Sequence, residues 1–138
     1  MQILEDLDEA ALARLVDQFY AQVRDDELLG PVFNRAIHDW PEHLERLTAF
    51  WSSVMLTSGR YKGQPLPAHL RHQDEITPEM FERWLALWEA SAASCLPPDA
   101  ATAVIAKAHH IAASLRMALF PGTLKPLVPR AQSPPATT

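Results

Sequence analysis

Apolar residues near the start of the chain recur in steps of three and four: Leu12, Leu15, Val16, Phe19, Tyr20 and Val23. That spacing lines one face of a helix, and Asp8 stands where a cap is needed. The helix should end near residues 24–26, before a turn-like stretch holding Gly30 and Pro31. A second helix is expected from a cap at Asp39, with Pro41 in its first turn, to about Leu56, where Ser58-Gly59 closes it. Thr77-Pro78 opens a third, with Phe81, Trp84, Leu85 and Trp88 on one face, and Leu96-Pro97-Pro98 breaks it. Asp99 should cap a fourth, which aligns Val104, Ala108, Ile111, Leu115 and Leu119 and stops at Pro121-Gly122. Residues 67–72 form one short helix at most. No segment alternates with a strand's period of two, and no internal repeat is found, so the fold class is all-α.

The 138 residues suffice for one domain and not for two. That domain is expected over 1–122. Residues 123–138, TLKPLVPRAQSPPATT, carry four prolines and read as a disordered tail. The net charge of −5 argues against nucleic acid as a partner, since phosphate binding needs a basic footprint. No apolar run reaches membrane-spanning length, and the acidic opening MQILEDLDEA is unlike a signal peptide. A single cysteine, Cys95, precludes an internal disulfide and fits a cytoplasmic protein. Nothing basic flanks it, so it is a packing residue rather than a reactive thiol.

Three polar side chains interrupt the apolar faces. His43 shares a helical stripe with Leu47, Phe50 and Val54. Tyr20 and Trp84 lie on the inner faces of the first and third helices. Each alone reads as a core residue, but a buried hydroxyl needs a hydrogen-bond partner, which a ligand can supply. In the stretch GQPLPAHLRH, His69 and His72 are spaced i, i+3. A bare metal site there is disfavoured, because no Glu-x-x-His repeat and no further cysteine accompany the pair. His109 and His110 are adjacent and diverge around their helix. An axial ligand to a large apolar cofactor needs apolar surroundings, and Leu66 and Leu70 give them to His69, whereas Arg71, Gln73 and Asp74 surround His72. The absence of Cys-x-x-Cys-His means that a haem would be held non-covalently.

Taken together, these residues form a recognisable set. Phe19-Tyr20 with Val23-Arg24 is followed by Leu29-Gly30-Pro31-Val32-Phe33. His43 precedes Phe50-Trp51 by seven residues. Tyr61-x-Gly63-Gln64-Pro65, His69-Leu70 and Phe81-x-x-Trp84-Leu85-x-Leu87 complete the series. The chain resembles the truncated haemoglobins of the third group over roughly residues 8–120. The four glycines, none adjacent, fit that group, since glycine pairs mark the first two.

The resemblance implies a two-over-two helical sandwich around haem b, iron protoporphyrin IX. By position, His69 resembles the proximal iron ligand, and Tyr20 and Trp84 the distal hydrogen-bonding residues. His43 resembles the distal-helix histidine, with Leu47 one turn on. Phe33 resembles the phenylalanine packed on the porphyrin, and Trp51 joins the haem-contacting set. Arg46 is placed to reach a propionate. His72 is the rival iron ligand, or otherwise a rim residue near a propionate. The implied activity is binding of O2, NO and CO at a five-coordinate iron. The alternative is an NO dioxygenase or peroxidase served by an external reductase, because the chain carries no flavin or nicotinamide motif.

Overall fold

The computed structural model of the protein describes residues 7–61, 63, 69 and 73–120. The expected tail, the stop at Pro121-Gly122, His72 and most of the 67–72 helix lie outside them. The described residues form five α-helices: α1 (Glu9–Asp25), α2 (Gly30–Ala36), α3 (Trp40–Leu56), α4 (Pro78–Cys95) and α5 (Pro98–Leu119), with a 3-10 turn at Gln73–Glu75 before α4. No helix among them is long and apolar enough to cross a membrane.

Three helices start as local chemistry dictates. The Asp8 carboxylate accepts from the Ala11 amide at 2.9 Å, Asp39 from Glu42 at 3.1 Å and Thr77 from Met80 at 3.3 Å. The start of α5 differs from expectation. The helix begins at Pro98 with Pro97 as its N-cap and no side-chain cap. A proline there loses nothing, because the first-turn amides have no partner within the helix. Asp99 stands inside the first turn, where its charge complements the helix dipole. At the other end of α3, Thr57 closes the helix in the left-handed region, at φ 55°, ahead of the expected Ser58-Gly59.

The Gly30-Pro31 stretch is helix rather than turn. Asp26 makes it so: its carboxylate accepts from the amides of Leu28 at 3.0 Å and Leu29 at 2.9 Å, and its carbonyl from Gly30 at 2.8 Å. Arg83 of α4 then reaches the same carboxylate at 3.1 Å. One nearly buried acid thus turns the chain from α1 into α2 and ties that corner to α4.

Helix α1 is the hub. It packs against α2, α3 and α4, and α4 packs in turn on α5. Its buried face is the expected one, from Leu12 to Val23, with Ala11 added. Where α1, α3 and α4 meet, the rings of Trp51 and Trp88 stack at 4.4 Å and those of Trp88 and Trp84 at 5.7 Å. Phe19 sets its ring edgewise to Trp84 at 5.3 Å and to Trp88 at 4.9 Å. The chain beyond α3 is pinned back on α1 by polar contacts, since Glu9 receives both the Ser52 hydroxyl and the Arg60 guanidinium. These hydrogen bonds pull the Glu9 carboxyl below its ordinary range.

Gly30 tests the corner. A Cβ there would stand 2.7 Å from the Arg24 carbonyl oxygen, a backbone atom that cannot step aside. Helix propensity favours alanine over glycine by about 1 kcal/mol. Gly30→Ala should nevertheless destabilise the protein by about 1–3 kcal/mol, the usual cost of overpacking. A fall in the urea midpoint at unchanged slope shows this.

Candidate functional site

Adjacent residues on a helix point about 100° apart. While Phe19 turns toward the tryptophan stack, Tyr20 turns toward the α2–α3 side of the molecule. There its ring meets Phe33 at 5.9 Å, Trp40 at 6.0 Å and His43 at 6.4 Å. The Trp84 indole N–H, which can only donate, lies near enough to the Tyr20 hydroxyl to pull its pKa down. Burial pushes the phenol up to about 12, against that smaller opposing pull. Tyr20 therefore keeps its proton at neutral pH. An indole N–H cannot accept, so Trp84 leaves the phenol's O–H hydrogen to a third group.

His43 stands one turn into α3 with its ring edge-on to Trp40 at 5.7 Å and to Tyr20. Burial pulls its imidazole below the ordinary histidine range, and the electrostatic influence of Arg46 and then of His69 adds to that. His43 is thus a neutral imidazole at neutral pH. His69 thus lies within electrostatic reach of His43. His69 itself is helical and half-buried.

The expected set divides on this geometry. Tyr20, Trp84, His43 and Phe33 come together directly, and His69 lies within electrostatic reach of His43. Leu47, half-buried, follows His43 by one turn on the same face of α3. Trp51 belongs elsewhere: it is buried and stacked on Trp88, so it buttresses the site from behind rather than lining it. Arg46 is exposed and paired with Glu42 at 2.9 Å on its own helix. Among the described residues no group of three metal-ligating side chains forms.

Trp40 is the residue that sequence reasoning passed over. It packs on both Tyr20 and His43, donates its indole N–H to Asn34 at 3.2 Å, and carries the Arg24 guanidinium 4.7 Å above its ring. Its place three residues before His43 was the available signal, because i and i+3 share a helix face.

The side chains of α3 that follow His43 suit a large flat apolar group. Leu47, Phe50 and Val54 form a continuous stripe, yet all three are only half-buried, as are Leu44 and Phe33. Such a stripe beside the His43 imidazole, a buried phenol and a half-buried indole, with His69 in electrostatic reach, fits a haem: apolar walls for the macrocycle, nitrogen for the iron, donors for what the iron carries.

No protein-family model matches the chain. A group 3 truncated haemoglobin of Campylobacter jejuni is 34% identical to it, over 84% of this chain and 94% of that relative. The chain belongs to the group 3 truncated haemoglobins. The crystal structure of the group III truncated haemoglobin from Campylobacter jejuni superposes with a TM-score of 0.74 at 35% identity, covering 83% of this chain and 92% of that one. The all-helical architecture is therefore that of a truncated globin, and the family implies a haem cofactor and the binding of diatomic gases.

The neutral state of His43 has a consequence for stability. Its folded pKa lies below the value of about 6.5 that it has when unfolded. The unfolded chain therefore binds the extra proton first as pH falls, and stability drops below about pH 6.5 until the folded pKa is passed. His43→Gln should flatten this part of the profile, measured as the urea midpoint between about pH 7 and pH 5.

Proposed function

We propose that the protein holds haem b non-covalently and binds O2, NO and CO at a five-coordinate iron. His69 is the proximal ligand, as a neutral imidazole. Tyr20 and Trp84 act on the distal side, His43 stands at the entrance, and Leu47 and Phe33 flank the macrocycle. Arg46, free to leave Glu42 because that exposed pair is worth little, and His72 serve the propionates. Haem, when bound, supplies the iron that takes the gas.

The observation that carries this reading is the buried Tyr20 phenol set against His43 and Phe33, with the Trp84 indole beside its hydroxyl. Tyr20 keeps its proton and offers it, while Trp84 holds the phenol in orientation. A donor fixed in place before the ligand arrives pays little to reorganise. Bound O2 carries partial negative charge, so a donor favours it over less polar CO. The same donors suit O–O cleavage or NO oxidation, which supports the second reading, an NO dioxygenase or peroxidase fed by an external reductase. A lone cysteine fits a cytoplasmic setting for either.

Kinetics test the distal assignment. A hydrogen bond to a neutral group is worth about 0.5–1.5 kcal/mol, and to a charged one about 1.5–3. Since about 1.4 kcal/mol is tenfold, Tyr20→Phe should release O2 roughly ten- to a hundredfold faster, with CO changed far less. Equal O2 release rates would make Tyr20 a packing residue. The proximal assignment has its own check: His69→Ala should lose haem or bind it weakly, and full haem content with an unaltered ferrous spectrum contradicts it. Consumption of NO or peroxide by the reduced protein with a supplied reductase separates the enzymatic reading from plain ligand binding.

A further inference from the structure

The ring stack behind the site has more order than packing requires. Trp84, whose indole is beside the Tyr20 hydroxyl, lies parallel to Trp88 within 3° at 5.7 Å. Trp88 lies within 19° of parallel to Trp51 at 4.4 Å. Three indoles therefore run without a break from the pocket into the core. Trp88 is 0% exposed and Trp51 2%, whereas Trp84 is half-buried. Indole and phenol are among the most easily oxidised side chains, and electrons cross between rings in contact far faster than over one long gap.

We propose that Trp84, Trp88 and Trp51 form an electron-donating stack that takes up oxidising equivalents from hydrogen peroxide reduced in the pocket, with the hole resting on Trp88. The proposal rests on the haem reading above. Each peroxide breaks its O–O bond, takes two electrons and two protons, and leaves as two waters. The protons come from solvent. The electrons pass one at a time through Trp84, and a small one-electron donor such as ascorbate refills the stack.

The polar partners decide where the hole rests. A phenol must shed its proton to be oxidised easily. The polar group beside the Tyr20 hydroxyl is the Trp84 indole N–H, a donor that cannot take that proton. An indole can be oxidised and keep its proton. The Trp88 N–H donates to the Val104 carbonyl at 3.1 Å, and a backbone carbonyl is too weak a base to remove it. An oxidised Trp88 is therefore a cation radical, and the face of Trp51 laid over it favours positive charge. Burial keeps bulk reductants from quenching it directly.

The test is freeze-quench electron paramagnetic resonance on the haem-loaded ferric protein mixed with hydrogen peroxide. The protein is prepared unlabelled, with ring-deuterated tryptophan, and with ring-deuterated tyrosine. The stack predicts an organic radical whose spectrum narrows with labelled tryptophan and not with labelled tyrosine. Its optical spectrum should be that of the protonated indole radical. Trp88→Phe should abolish that signal while the CO complex keeps its wild-type absorption. If that variant does not fold, the labelled wild-type protein still decides. A radical that narrows only with labelled tyrosine overturns the proposal. So does a haem-loaded protein that gives no radical or leaves peroxide untouched, and in those cases the haem reading stands. A protein that takes up no haem overturns both together.

Discussion

The aromatic junction of α1, α3 and α4 is the contact on which the rest of this structure depends. Phe19 edge-on against Trp84 and Trp88, with Trp51 laid flat on Trp88, fixes three helices by ring geometry rather than by area alone. The rotation of α1 is then set. With Phe19 committed to the stack, its neighbour Tyr20 must face α2 and α3, where Phe33, Trp40 and His43 receive it. The position of Tyr20 is thus a by-product of where the core places the residue before it.

Polar chemistry inside that frame follows from the cost of burial. A phenol so deeply placed needs a polar neighbour, and the donor-only indole N–H of Trp84 lies beside it and offsets part of the upward push of burial. His43 meets the same cost by staying neutral. Asp26, nearly buried at its carboxylate, stays satisfied through two backbone amides and Arg83. Since Arg83 directly precedes Trp84, that ion pair also anchors the stretch of α4 that faces Tyr20.

Much of this was legible in residue spacing. The period of α1 announced its buried face, and capping residues at Asp8, Asp39 and Thr77 marked three helix starts to the residue. Tyr20, Trp84 and His43 stood out as polar groups on apolar stripes. What spacing could not reveal was depth. Trp51 and Leu47 lie on the same helix, but only the packing of α4 decides that Trp51 is sealed in the core. Spacing also did not show that exposed Arg46 pairs with the glutamate one turn before it. Trp40 escaped notice because it sits at a helix start, where cap and proline signals dominate the reading. The Asp26 corner was missed for a similar reason, since glycine beside proline signals a turn unless a side chain elsewhere supplies the cap.

The central claim is the proposed one, that the half-buried stripe of α3 beyond His43 lies against a haem whose iron keeps one coordination site for a gas. Absorption spectra of the purified protein in its ferric, ferrous and CO-bound states test it most directly. The account predicts an intense Soret band, a ferrous form with the spectrum of five-coordinate high-spin iron, and a shift to a six-coordinate complex with CO. No Soret band after haem is supplied would contradict it, and so would a six-coordinate low-spin ferrous spectrum that is lost in His43→Leu.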